Sequence, residues 1–501
     1  MKKITLFLLT FLLCSSLPAQ AAVKKENRLW QDETIYSLMV DRFNDGDTTN
    51  NLDVNAKNAL AYNGGDFQGI IDKLDYIQDM GFTAIRLTPI FDNAKNGYHG
   101  YWVKDFYNTD EHFGAITTFQ KLVTEAHKRK MKVIIDFVAN NTASDHPWVN
   151  DPSKKDWYHP KQQVDNGNNG WVDGLPDLNQ DNPEVKNYLI KAAKWWIKKT
   201  DIDGFSLPEV NQVPLSFWTE FSKAVKKEKK NFFLLGVPLK NTSIDVARYQ
   251  NAGIDSMFND AQSKELRKAF ATTNQSFSAL NSVSTKSGNN ELMANFFDNE
   301  YTARFTKDIV DKRQFPGSRW MTALTYLYTT PGIPIYYYGT DIALNGGEIP
   351  DNRRQMNFRS EKDLIDYTTK LAELRNELPS LTRGTMEVLY DKGGMLVYKR
   401  SYKGETSVIA INNSTKSQKV ILTDKQLAAN KELRGLLAGD LVHSQNNQYI
   451  LITDRDNSEI YFLAEKTGLN IPYIAAIVGV AFLSIIFLLL IIKRGKKGRE
   501  E

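Results

Sequence analysis

Apolar and polar positions alternate along this chain in two rhythms. From residue 26 to residue 380, short apolar runs are separated by amphipathic stretches. Thr83-Ala84-Ile85-Arg86-Leu87, Met131-Lys132-Val133-Ile134-Ile135, Gly204-Phe205-Ser206-Leu207, Phe232-Phe233-Leu234-Leu235 and Ile333-Pro334-Ile335-Tyr336-Tyr337-Tyr338 read as buried strands. Residues 119–130 and 188–199 carry helical spacing. Strand and helix alternating over this length predict a parallel α/β architecture, with a barrel favoured by size. Residues 141–177 break the rhythm: polar, aromatic and glycine-rich, they read as a small inserted domain after a barrel strand. Beyond Pro379 the period becomes two, as in Leu396-Val397-Tyr398 and Val408-Ile409-Ala410-Ile411, which predicts an antiparallel β domain over residues 381–465.

The ends of the chain add two apolar segments. Met1-Lys2-Lys3, an apolar run over residues 4–13 and Ala19-Gln20-Ala21 have the layout of a secretory signal, predicted over residues 1–21. Residues 474–492 contain no charge and only Ser484 as a clearly polar residue, and a basic block from Lys493 to Arg499 follows. This predicts a transmembrane helix over 471–492 and a cytoplasmic tail over 493–501, with Tyr473 at the interface. The location expected from these signals is the cell membrane, single-pass, with the body outside. The formal net charge of +4 comes from the two ends; the body between them is near neutral, which argues against a nucleic-acid partner. The single cysteine, Cys14, falls in the predicted signal, and the bulky Leu13 before it argues against lipidation; the body carries no disulfide.

Ordered motifs then point to a family. Asp41-Arg42-Phe43-Asn44-Asp45-Gly46-Asp47, Gly64-Gly65-Asp66-Phe67-Gln68-Gly69-Ile70, Tyr98-His99-Gly100-Tyr101-Trp102, Asp136-Phe137-Val138-Ala139-Asn140, Gly174-Leu175-Pro176-Asp177-Leu178-Asn179, Pro331-Gly332-Ile333-Pro334 and Asp351-Asn352-Arg353 occur in sequence. With them the chain resembles the α-amylase superfamily of glycoside hydrolases (family 13) over nearly all of residues 30–465. The resemblance implies a (β/α)8 TIM barrel with a small inserted domain and a C-terminal antiparallel β-sandwich, to which the end of the chain adds the predicted transmembrane helix.

The resemblance also marks what has changed. A retaining glycosidase needs two carboxyl groups at the strand ends, one attacking the sugar and one protonating the leaving oxygen. The family's nucleophile position holds Pro208, its acid/base position Val237 and its third carboxylate position Tyr301; the arginine position holds Ser206, and two histidine positions hold Asn141 and Glu300. No catalytic residue is therefore assigned. The main expectation is an inactive membrane-anchored protein that binds an α-glucan or maltodextrin, or acts as a scaffold for a protein partner. The alternative is an active α-glucan hydrolase using displaced carboxylates, Glu209 and Glu300. Strand alternation turns a neighbouring side chain away from the site, unless the strand has already ended at Glu209.

Other family positions are retained. Asp45, Asp47, Asn50, Asn51, the carbonyl of Gly64 and Asp66 match a calcium site of members resembling cyclodextrin glucanotransferases. Calcium takes six to eight oxygen ligands of these kinds. The same residues also suit a polar turn bonded to itself. A second family calcium site would use Asn140 and Asp177, but its histidine partner is Gln212 here. His99, Tyr101, Asp136 and Arg353 match the family's sugar-binding rim, where they either contact glucan or hold loop ends together.

Overall fold

The computed structural model describes residues 27–161, 171–239, 244–286, 292–466 and 471–497. The predicted signal peptide, residues 1–21, lies outside them, as do residues 162–170 of the predicted insertion and 498–501 of the predicted tail.

Eight parallel strands form the first domain: β1 (Ile35–Leu38), β2 (Ala84–Leu87), β3 (Lys132–Asp136), β4 (Gly204–Pro208), β5 (Phe233–Val237), β6 (Ser256–Met257), β7 (Ala294–Asn295) and β8 (Ile333–Tyr337). They run in the order β6-β5-β4-β3-β2-β1-β8-β7. A parallel bridge between Phe258 and Ala294 joins the two ends, so the sheet closes into a barrel. Inward positions lower in the barrel are apolar: Ile35, Ala84, Ile134, Phe233, Ala294 and Ile333 belong to one buried cluster. Two residues further along each strand the same inward face carries Ser37, Arg86, Asp136 and Ser206, because strand side chains repeat every second residue. The polar layer therefore sits at the C-terminal ends of β1 to β4, where barrels of this type place their sites.

The surrounding helices follow from their apolar spacing. Helix α1 (Ile116–Lys128) buries Phe119, Leu122, Val123 and Ala126, one face at i, i+3, i+4 and i+7. Helix α2 (Pro183–Thr200) starts at Asn182, whose side chain accepts from Glu184 N, with proline in its first turn. Helices α3 (Leu215–Glu228), α4 (Pro316–Thr329) and α5 (Asp363–Glu377) complete the part of the outer layer used below. The inserted segment leaves after β3 and returns through an antiparallel bridge between Asn141 and Asp177, with a second between Tyr158 and Leu178.

Beyond the barrel, strands β9 (Thr385–Lys392), β10 (Met395–Tyr402), β11 (Glu405–Asn412), β12 (Gln418–Thr423), β13 (Lys431–Gly435), β14 (Leu441–His443), β15 (Gln448–Thr453) and β16 (Asn457–Glu465) form a six-stranded and a two-stranded sheet. Both faces of β10 and β11 are buried. Met395, Val397, Val408 and Ala410 face the β12–β15 pair, whereas Leu396, Tyr398, Ile409 and Ile411 join the barrel's outer core. The C-terminal domain is thus packed against the barrel. Arg400 Nη1 donates to Thr329 O at the end of α4 (2.6 Å), and Asn413 Nδ2 donates to Ala269 O (2.6 Å).

The C-terminal apolar segment departs from its expected role. It forms helix α6 (Ile471–Lys497), whose described side chains, residues 477–491, are all exposed. No helix among the described residues is long and apolar enough to cross a membrane. The predicted transmembrane helix, and the single-pass cell-membrane location drawn from it, are corrected accordingly.

Candidate active site

The mouth of the barrel opens into a cavity of about 420 Å³, within the range of small-molecule sites. His99, Tyr101, Asn141, Asp173, Pro208, Glu209, Tyr301 and Arg353 line it, with apolar walls from Val138, Leu175 and Ile349.

Glu209 enters this cavity through a backbone turn. Pro208 is the last residue of β4, and Glu209 adopts left-handed dihedrals (φ 52°, ψ 36°) at the start of a single 3-10 turn. Few residues other than glycine adopt this conformation. Strand alternation has ended there, so the side chain is no longer sent outward. Asn140 Nδ2 donates to Glu209 Oε2 at 2.8 Å. Burial pushes the Glu209 carboxyl up to about 7 against that hydrogen bond, and the negative charges of Asp173 and Asp177 add to the rise. A carboxyl near neutrality suits proton donation at neutral pH.

Beneath the cavity lies a charged layer in which Asp136 and Glu300, both named from the motifs, meet an arginine that was not. Arg86 on β2 is fully buried and spans two carboxylates. Its Nε and Nη2 donate to Asp136 Oδ1 and Oδ2 (2.8 and 2.7 Å), and Nη2 and Nη1 donate to Glu300 Oε1 and Oε2 (2.7 and 3.2 Å). Arg86 Nε also donates to Ser206 Oγ (3.0 Å), and Nη1 to Ser37 Oγ (2.9 Å). Ser206 holds the family's arginine position, and here a guanidinium from β2 reaches across to it. Tyr101 closes the layer: its hydroxyl donates to Asp136 Oδ2 at 2.9 Å. Burial pushes Asp136 up to about 6 in spite of Arg86. Glu300 goes the other way: burial opposes its ionisation, but Arg86 outweighs it and holds the carboxyl below its ordinary value.

The sequence-derived residues therefore separate. His99, Tyr101 and Arg353 face the cavity, whereas Asp136 lies under Tyr101 and supports its hydroxyl. His99 Nδ1 accepts from Tyr101 N at 3.1 Å, so the ring proton sits on Nε2. Burial and the nearby Arg353 and Arg42 hold this imidazole well below its ordinary pKa, and it stays neutral. Arg353 is held by Glu300 O (3.0 Å) and Tyr98 Oη (3.3 Å). Of the displaced pair Glu209 and Glu300, only Glu209 reaches the cavity; Glu300 is locked to Arg86 below it. At the three family positions, Pro208 and Tyr301 line the cavity and Val237 is buried in the inner apolar cluster. Arg86 and Asp173 were not picked out by the motifs. The signal for Arg86 was a charge inside an apolar strand; nothing in the sequence set Asp173 apart.

The predicted calcium loop leaves part of its oxygen set without hydrogen-bond partners. The Asn50 and Asn51 side-chain oxygens are buried without a hydrogen-bond partner. Asn51 Nδ2 donates to Asp45 Oδ2 (2.8 Å). Gly64, at φ +94°, lies against both: a Cβ there would sit 2.8 Å from Asn51 Oδ1 and 3.1 Å from Asp45 Oδ2. Asp66 is committed to backbone donors, accepting from Gly69 N (2.6 Å) and Asp47 N (2.8 Å), and Asp47 accepts from Thr49 N (3.0 Å). The oxygens of Asp45, Asn50 and Asn51 thus fit a hard cation. At the second family site Asp177 already pairs with His159 (2.8 Å), and Asn140 donates to Glu209.

Residues 37–377 match the α-amylase catalytic domain, and residues 384–461 the α-amylase C-terminal domain. The chain is 34% identical over 463 residues to a β/α-amylase of Paenibacillus polymyxa, spanning 85% of this chain and 37% of that protein. It is 32% identical over 457 residues to a cyclomaltodextrinase of Thermoanaerobacter pseudethanolicus, spanning 84% and 77%. Among solved structures it is similar to an Anoxybacillus α-amylase, at 55% identity and a TM-score of 0.87, over 88% of this chain and 100% of that one. These similarities overturn the expectation of an inactive membrane scaffold: the relatives are named amylases and a cyclomaltodextrinase, and no described helix is long and apolar enough to serve as an anchor.

Proposed function

We propose a function from one premise: this chain belongs to the α-amylase family, through both its catalytic-domain and its C-terminal-domain matches. On this reading it is an α-glucan hydrolase whose acid is Glu209, because the three strand-end positions hold Pro208, Val237 and Tyr301. The observation that carries the reading is the placement of the Glu209 carboxyl, turned by its left-handed backbone into the cavity at the barrel mouth, where burial raises its proton affinity. The names of the relatives, amylases and a cyclomaltodextrinase, support the α-glucan class.

The chain's own groups then take distinct roles. Protonated Glu209 gives its proton to the glycosidic oxygen as the bond to the anomeric carbon breaks. His99, with its proton on Nε2, and Arg353 offer hydrogen-bond donors to sugar hydroxyls along the cavity wall. Tyr101 presents its ring to the sugar, oriented by Asp136 below. The purified protein should release reducing ends from maltodextrins, and Glu209→Gln should lower that rate by roughly a hundred- to ten-thousand-fold. Equal rates for the two proteins would remove Glu209 from the mechanism.

Asp45, Asn50, Asn51 and the Gly64 carbonyl would hold a calcium ion, which would supply a local positive charge tying the loop to the start of the barrel. Chelation should lower the Tm of the purified protein, and added calcium should restore it. An unchanged Tm would count against this site and favour a turn bonded only to itself.

A further inference from the structure

We infer that the inserted segment carries a second sugar-binding site, a cavity beside the barrel mouth that takes the part of a long α-glucan extending beyond the mouth. The inference rests on the α-glucan reading of the mouth, but not on which residue there is the acid. The second cavity encloses about 430 Å³, close to the 420 Å³ of the mouth, and shares no lining residue with it.

One stretch of chain forms the wall between the two. Asp173, Gly174 and Leu175 line the mouth, whereas Trp171 and Pro176, on either side of them in sequence, line the second cavity. Leu175 and Pro176 are consecutive, and two residues of extended chain put Trp171 Cα within roughly 7 Å of Asp173 Cα. Asp173 and Gly174 are exposed, so the crest of this wall is open to solvent. A polymer held in the mouth and leaving it on this side crosses the crest into the second cavity.

The lining has the chemistry of a sugar site. Tyr158, His159 and Trp171 bring three rings to it, all half-buried, and Asn150, Asp151 and Lys155 bring polar groups. Rings receive the apolar face of a sugar, and the polar groups reach its hydroxyls. One carboxylate and one ammonium among these six give the lining no strong bias of charge, which suits a neutral ligand. The rings are also held in place. Trp171 Nε1 donates to His159 O (3.1 Å), His159 Nδ1 pairs with Asp177 Oδ2 (2.8 Å), and the Tyr158 and Thr142 hydroxyls share a hydrogen bond (3.0 Å). Rings already fixed lose little freedom when a ligand settles on them.

The test is calorimetric titration of maltotriose and maltoheptaose into Glu209→Gln, which leaves the sugars intact, alone and combined with Trp171→Ala, Trp171→Phe or Lys155→Ala. Trp171→Ala should weaken maltoheptaose binding roughly tenfold and leave maltotriose unchanged. Trp171→Phe should regain most of that loss. Phenylalanine keeps a ring face but lacks the N–H that supports His159 O, so its rescue separates contact with sugar from support of the loop. Lys155→Ala, on an exposed side chain, should weaken maltoheptaose roughly threefold without disturbing the rings. Maltoheptaose affinity unchanged by both Trp171→Ala and Lys155→Ala, or equal losses for the two sugars, overturns the inference and leaves the α-glucan reading of the mouth standing. Binding of neither sugar to Glu209→Gln overturns both.

Discussion

Pro208 and Glu209 together relocate the site's acid by one residue. Proline fixes φ and offers no N–H, which suits the end of a strand. Glu209 then turns left-handed, and its carboxyl is held by Asn140 inside the cavity. This has a consequence for stability. The carboxyl is raised from about 4.5 to about 7 on folding, so its contribution is full below the unfolded value and is lost as pH rises through about 7. Glu209→Gln should therefore be more stable than wild type at pH 8 and nearly equal at pH 4. The difference is at most about 3 kcal/mol, reduced by water in the cavity. Urea melts at the two pH values check the sign; a variant less stable at pH 8 would contradict the burial of this carboxyl. Arg86 is the other decisive residue. Replacing it with methionine leaves Asp136 and Glu300 buried around no cation, at a cost of roughly 3–5 kcal/mol near pH 7. That deficit should shrink as pH falls and both carboxyls protonate. A loss below about 1 kcal/mol at neutral pH would show that the network is not what holds the barrel mouth.

At the scale of elements, register explains why the charged layer exists. Ser37 lies opposite Arg86 across β1 and β2, and Asp136 opposite Ser206 across β3 and β4. One inward layer of four strands thus carries two hydroxyls, a guanidinium and a carboxylate, while the layer below is apolar. The strands themselves were legible in the sequence because each is an apolar run between helical patterns. The exchange that put arginine on β2 and serine on β4 was not, because it joins positions far apart in the chain whose contact only the closed barrel creates. Glu209 was legible only as a question: period-two reasoning sends it outward, and the left-handed turn that reverses this has no glycine to announce it. The loop proposed for calcium was read from its motif; the structure adds only that the Asn50 and Asn51 side-chain oxygens lack hydrogen-bond partners. Helix α6 was read correctly as a helix and wrongly as a membrane span among the described residues.

At the scale of the molecule, a barrel and a C-terminal sheet domain share one buried surface. Leu396, Tyr398, Ile409 and Ile411 pack into the barrel's outer core, and Arg400 reaches the end of α4. The barrel mouth lies beside the inserted segment, whose Asp173, Gly174 and Leu175 line the cavity together with Glu209. The architecture belongs to its family, whereas the chemistry proposed for it has moved within the mouth. The most direct measurement is the pH dependence of kcat/KM on a maltooligosaccharide. The account predicts turnover that falls as pH rises through about 7, as Glu209 loses its proton, with this limb absent from the residual rate of Glu209→Gln. No turnover at any pH, or a wild-type profile flat through 7, would contradict it.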